Sequence, residues 1–267
     1  LKVYISGCRS TSNLCLLFIH GAGSSAFTWH HQVQQFQDIA LLIAPDLRGH
    51  GGSTASLDMS IDALVEDIAY VIAHLKNVIR DRRVVLVGHS LGGSIAAKLL
   101  STHSDCGVAG LIVLDVAEET AIGSLSRTES MLATWPQSFA STDDYAVWCS
   151  QNSRPQNIRS ARISTLRQLV VGSDGTFSPR FDLLKYKSAW PGWFQGFDAA
   201  FLESEVPKIL VLSHVDNIDR ALTIAHMAGA FELRVLGNPF RSHFFQEDSP
   251  DELLHIILGF LQARNFI

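Results

Sequence analysis

An α/β architecture, a doubly wound and mostly parallel sheet carrying a helical cap insertion, is the fold class that this chain predicts. Three observations carry it. Short apolar runs at residues 14–19, 40–44, 84–87 and 110–114 read as buried strands, too apolar on both faces for a sheet with a wet side. Helical spacing fills the gaps between them, and the connections are short, which implies parallel strands with right-handed crossovers. The pattern lapses after residue 115 and resumes with strand-like runs at 207–212 and 231–236. The expected organisation is therefore a core of residues 1–115 and 207–267 around an insertion of residues 116–206.

Composition bounds the function. The 267 residues are 47% apolar and 18% charged with a net charge of −5, which is ordinary globular make-up and argues against a nucleic-acid surface. The apolar runs are too short to span a bilayer, so no membrane partner is expected. Cys8, Cys15, Cys106 and Cys149 show no C-x-x-C spacing and read as reduced thiols of an intracellular protein, cytoplasmic or nuclear. Eleven histidines without an H-E-x-x-H pattern predict no metal site. The chain opens on Leu1 and a strand-like run at 2–5, as expected of a piece lacking its native N-terminus.

The strand at 14–19 ends in His20-Gly21-Ala22-Gly23, and a helix is expected over 27–36. The strand at 40–44 leads into Pro45-Asp46-Leu47-Arg48-Gly49-His50-Gly51-Gly52-Ser53, whose glycines suit a turn held by Asp46 accepting backbone N–H bonds. Apolar residues at 61, 64, 65, 68, 72, 75 and 79 predict one amphipathic helix. It delivers the chain to the strand at 84–87 and to Gly88-His89-Ser90-Leu91-Gly92-Gly93, with a helix of small residues from 94 to 100. G-x-S-x-G between a buried strand and a helix is the nucleophile-elbow pattern of α/β-hydrolases, and H-G-x-G after an earlier strand matches their oxyanion loop. Ser90 is then the nucleophile, and the backbone N–H groups of Ala22 and Leu91 form the oxyanion hole.

After the strand at 110–114 comes Asp115. The insertion shows helical spacing over 158–171, no sheet strand, and many aromatics, of which Trp190, Trp193 and Phe194 belong to an irregular stretch. A helix is expected over 218–227. The last helix begins near Pro250 with Leu253, Leu254, Ile257, Phe260 and Leu261 as its buried stripe. A serine nucleophile needs a base and a carboxylate that orients it, in the chain order acid then histidine in this fold. His243 is the histidine of the loop between the last strand and the last helix. Two carboxylates end strands, Asp115 and Asp216, and pattern alone leaves both open.

Four further segments carry a resemblance. They are Leu114-Asp115-Val116-Ala117-Glu118-Glu119-Thr120-Ala121, Asn157-Ile158-Arg159-Ser160-Ala161-Arg162-Ile163-Ser164, Trp190-Pro191-Gly192-Trp193-Phe194-Gln195-Gly196 and Val215-Asp216-Asn217-Ile218-Asp219. With the elbow they resemble the protein phosphatase methylesterase family, from about Val3 to the end. The resemblance implies Ser90, Asp115 and His243 as the triad, no cofactor, and the methylated C-terminal leucine of the type 2A phosphatase catalytic subunit as substrate. It also implies a peptide groove in the cap, with Trp190, Trp193 and Phe194 as its expected wall. Ser242 stands where the family usually has glycine, and the stretch from Gly172 to Arg180 is shorter than usual. A small-ester carboxylesterase or lipase and a catalytically silent phosphatase-binding protein are the rival readings. Epoxide hydrolase and dehalogenase chemistry is excluded, since both need a carboxylate at position 90.

Overall fold

The structure is a computed structural model and describes residues 1–7, 12–103, 105–152, 154–236 and 242–267. Cys8 lies outside them; Cys15, Cys106 and Cys149 are free thiols. The strands are β1 (Lys2–Ser6), β2 (Leu14–Ile19), β3 (Leu41–Asp46), β4 (Arg83–His89), β5 (Val108–Leu114), β6 (Leu169–Val171), β7 (Phe177–Pro179), β8 (Lys208–Leu212) and β9 (Glu232–Val235). Seven of them form one sheet in the order β1-β3-β2-β4-β5-β8-β9, and β6 pairs with β7 apart from it. Every pairing in the large sheet is parallel except β1 with β3.

Alternation along each strand sorts the core into two layers. Leu17, Ile19, Leu86, Leu111 and Val113 point to one face, where the helices Ile61–His74 and Leu91–Thr102 cover them. Leu16, Phe18, Val85, Val87 and Ile112 point to the other, against Trp29, Phe36 and the helix Pro250–Ala263. This two-sided burial is why the central strands read as unbroken apolar runs. The first amphipathic segment is not one helix to residue 79: it stops at His74 and a short turn of helix, Lys76–Ile79, follows. No helix among the described residues is long and apolar enough to cross a membrane.

Between β5 and β8 lie the helices Glu118–Ala133, Thr142–Gln151, Ile158–Ser164, Trp190–Phe194 and Phe197–Glu203. Two sequence expectations fail here. The helix from residue 158 ends at Ser164, and the segment thought to lack strands contains the hairpin β6-β7. With three residues per strand there is no alternation to detect. The turn is closed by Gly172 N–H to Thr176 O at 2.8 Å and by Asp174 accepting the Thr176 N–H, so a tight hairpin occupies the shortened stretch.

The aromatics of this region divide. Phe139, Tyr145, Cys149 and Leu169 make a small cluster of their own. Trp190, Trp193, Phe194, Phe197 and Phe201 instead join the layer that holds Leu91 and Ile95. The stretch that looked irregular is thus a short buried helix. Trp193 is 2% exposed, and its indole N–H donates to Met59 O at 2.6 Å. Ser94 Oγ–H donates to the Trp193 carbonyl. Trp193→Ala is expected to lower the unfolding free energy by roughly 3–5 kcal/mol in denaturant titrations, as for other large buried aromatics. An unchanged midpoint would mean that the ring carries no packing load.

Glu247, fully buried, ties the insertion to the core: Thr28 Oγ1–H and Ser160 Oγ–H both donate to its carboxylate. Burial is the main cause that pushes its pKa up from 4.5 to about 7, against the hydrogen bonds that lower it. A raised native pKa contributes stability that is complete below the unfolded value and is lost as pH rises through about 7. Between pH 5 and 8 the wild type should therefore lose about 3 kcal/mol more than Glu247→Gln, read from melting curves across pH. Parallel curves for the two proteins would contradict this.

Candidate active site

A single residue, Ser90, separates β4 from the helix Leu91–Thr102. Ser90 has φ 53° and ψ −120°, a conformation that L-residues rarely adopt. A Cβ at Gly88 would sit 2.3 Å from the Gly92 carbonyl oxygen, and one at Gly92 would sit 2.1 Å from that of Ile19. The two motif glycines are thus demanded by close backbone approach, not by positive φ. Ser90 N–H donates to Leu114 O at 2.8 Å, which docks the elbow onto the end of β5.

Asp115 follows directly and also takes positive φ, 54°. Its Oδ2 is 2.7 Å from His243 Nδ1 and accepts the Ser213 hydroxyl at 3.0 Å, while Oδ1 accepts the Ser213 N–H at 2.7 Å. Burial acts to raise this carboxyl, but the bonds from His243 and Ser213 outweigh it and hold the group below the usual carboxylate range. The aspartate is ionised, so His243 Nδ1 carries the donated proton and Nε2 is left as the basic nitrogen. Asp216, the rival carboxylate, is 81% exposed and lies 3.1 Å from His214 Nδ1.

Two histidines of the motifs, His89 and His20, act through their rings. His89 is buried, and burial together with the neighbouring His243 lowers its pKa to about 3, so it is neutral. Its Nε2–H donates to the His243 carbonyl at 2.7 Å, pinning the loop that carries the basic ring. His20 donates from Nδ1 to Gly21 O at 2.8 Å and accepts the Leu47 N–H at Nε2, 3.0 Å away. His50, overlooked in the sequence, accepts the Gly23 N–H at 3.0 Å and donates to Arg48 O at 2.9 Å, setting the loop that holds Ala22. Asp46 has the turn-holding role expected of it, accepting the N–H groups of Ala26 and Gly52 at 2.7 Å each. Arg48 is engaged by Asp67 at 2.7 and 2.9 Å. Ser242 Oγ accepts the Phe244 N–H at 3.0 Å and donates to Asp248, so the residue before His243 braces its loop.

Ala22, Ser90, Asp115 and His243 all line one cavity of about 750 Å³ between the carboxyl ends of the strands and the insertion. Trp190, Trp193 and Phe194 form part of its wall, but as the exposed faces of side chains only 2–8% accessible. Leu91 is fully buried at the first helical position, where an unbonded backbone N–H is available to an anion. A serine on an elbow, a histidine held by a buried carboxylate and helix-end amides in one cavity constitute the equipment for acyl transfer.

Comparison with known proteins agrees with that chemistry. Residues 16–256 match the model of the alpha/beta hydrolase family. Protein phosphatase methylesterase 1 of Schizosaccharomyces pombe is 35% identical, over 92% of this chain and 74% of that protein. The Candida albicans protein of the same name is 33% identical, over 91% of this chain and 67% of its own length. Among solved structures, E-2-(acetamidomethylene)succinate hydrolase superposes with a TM-score of 0.81 at 20% identity, covering 97% of this chain and 94% of that one. At that identity the likeness speaks for the fold alone. With its hydrolase sheet, its elbow and relatives that match it over more than nine-tenths of its length, the chain belongs to the protein phosphatase methylesterase family of α/β-hydrolases.

Proposed function

We propose that this protein is a serine carboxyl-methylesterase that removes the methyl ester from the C-terminal leucine of the type 2A phosphatase catalytic subunit. Ser90 attacks the ester carbonyl while His243 takes its proton and returns it to the departing methoxide, releasing methanol. Asp115 keeps His243 in the tautomer whose Nε2 faces the reaction, and the N–H groups of Ala22 and Leu91 stabilise the oxyanion. Water, activated by the same histidine, then hydrolyses the acyl-enzyme to a free C-terminal carboxylate. Residues 116–206 act as the cap that shapes the cavity around the peptide tail. The observation that carries this reading is the 2.7 Å bond between His243 and a buried Asp115 in the cavity that Ser90 lines. The family relationship narrows the ester to a methylated protein terminus, and the free thiols fit a cytoplasmic or nuclear location.

The test is to supply methylated phosphatase catalytic subunit and a short-chain aryl ester in parallel. Release of methanol from the phosphatase, absent with Ser90→Ala, is the expected result. Turnover of the aryl ester alone would make the protein a small-ester carboxylesterase, and turnover of neither would leave it a binding protein.

A further inference from the structure

The cavity contains a cation that the reaction does not use. Arg154 lines it while being only 7% exposed. Its guanidinium carbon lies 5.2 Å from the centre of the Trp135 ring and 5.6 Å from that of Phe244. Nη2 donates to Gly23 O at 3.0 Å and to Gln168 Oε1 at 3.4 Å. Nε is buried without a hydrogen-bond partner, and among the described residues no carboxylate forms an ion pair with Arg154.

A guanidinium has five N–H donors and no acceptor, so two neutral oxygens on one nitrogen leave donors unmatched. Charges taken this far from water are ordinarily paired. Both rings are within cation–π range of the guanidinium, which offers further N–H donors to a ligand in the cavity that Arg154 lines. Its neighbours fix where that ligand lies: Gly23 follows Ala22 of the oxyanion loop, and Phe244 follows His243.

We propose that Arg154 is a specificity residue that binds a carboxylate of the peptide chain whose ester is cleaved. That carboxylate is either an acidic side chain near the ester or the terminal carboxylate that hydrolysis creates. The inference rests on the proposed esterase reading and extends it to the substrate's charge. Planar recognition of a carboxylate is what a pre-oriented guanidinium does best, and the burial that leaves Arg154 unpaired strengthens the bond once a partner arrives.

The experiment uses short peptide methyl esters ending in leucine, with Asp or Asn at each of the upstream positions. Wild type is compared with Arg154→Gln and Arg154→Lys, the melting temperature of each being checked first. If the carboxylate is a side chain, one position should show an Asp-over-Asn advantage in kcat/KM of about tenfold or more, as for hydrogen bonds between charged groups. That ratio should fall to about one in Arg154→Gln. If it is the product's own carboxylate, the free-acid peptide should inhibit wild type roughly tenfold better than its C-terminal amide, and Arg154→Gln should abolish the difference. Ratios cancel any general loss of activity. Wild-type ratios near unity in both arms overturn the proposal even if no variant folds, and so does discrimination that persists in Arg154→Gln. Failure of wild type to cleave any of these esters would instead refute the esterase reading.

Discussion

Ser90→Ala is expected to lower kcat for ester hydrolysis by about 10⁴- to 10⁶-fold while leaving the melting temperature close to that of wild type. The reason is the separation of two roles at one position. The backbone strain at φ 53° is imposed by the crowding of Gly88, Gly92 and Ile19, and alanine keeps the same Cβ in that space. What it loses is the hydroxyl, the nucleophile that the elbow presents to the cavity shared with His243. Residual turnover should come only from the oxyanion hole and from binding, with water as nucleophile and His243 as base. Retention of more than a few per cent of activity would remove Ser90 from the mechanism. A large fall in melting temperature would show that the hydroxyl has a structural load as well.

Asp115→Asn comes second, with an expected loss of about 10⁴-fold in kcat, whereas Asp216→Asn should change kcat by less than about tenfold. The asymmetry follows from the partners. An asparagine amide facing His243 Nδ1 can donate to it, which drives the ring proton to Nε2 and leaves no base toward Ser90. With its NH2 in the place of Oδ2, the asparagine would also meet the Ser213 hydroxyl, while its carbonyl oxygen keeps the Ser213 N–H. Asp216, in contrast, faces solvent beside His214, and its charge is screened there. The pH dependence separates this from simple misfolding. With the tautomer mis-set, activity in Asp115→Asn should recover in part at high pH, where hydroxide can replace the lost base, while a misfolded protein would stay inactive. The reverse ranking of the two variants would transfer the orienting role to Asp216.

Much of the fold was legible because its signals are local. A strand buried on both faces is a run of apolar residues, and β2, β4, β5 and β8 stand out for that reason. The elbow was legible because close packing of two backbones leaves glycine alone at positions 88 and 92. Other features depend on distant contacts and leave no periodicity. The break at Leu75 lies inside a continuing apolar stripe, and the hairpin β6-β7 is three residues deep. Asp115 and Asp216 both end strands, and only the three-dimensional turn of the chain after β5 sets the first against His243 and the second in solvent. Aromatic content alone cannot tell a ring facing a ligand from one packed in the core, and Trp190, Trp193 and Phe194 do both, packing on the helix Leu91–Thr102 and lining the cavity. Arg154 carried no signal at all: it precedes a proline in a polar stretch, and nothing in that neighbourhood predicts that Trp135 and Phe244 will close around it.

The central claim, that Ser90 is a nucleophile activated by His243 and Asp115, is met most directly by labelling with a fluorophosphonate. The reagent reacts with a serine only where a neighbouring base raises its nucleophilicity and an oxyanion site receives the phosphoryl oxygen. Digestion and mass spectrometry of the labelled protein should place a single adduct on Ser90, formed in step with loss of esterase activity. Labelling should be absent in Ser90→Ala and slowed in Asp115→Asn. An adduct on any other residue, or full esterase activity after stoichiometric labelling of Ser90, would contradict the account.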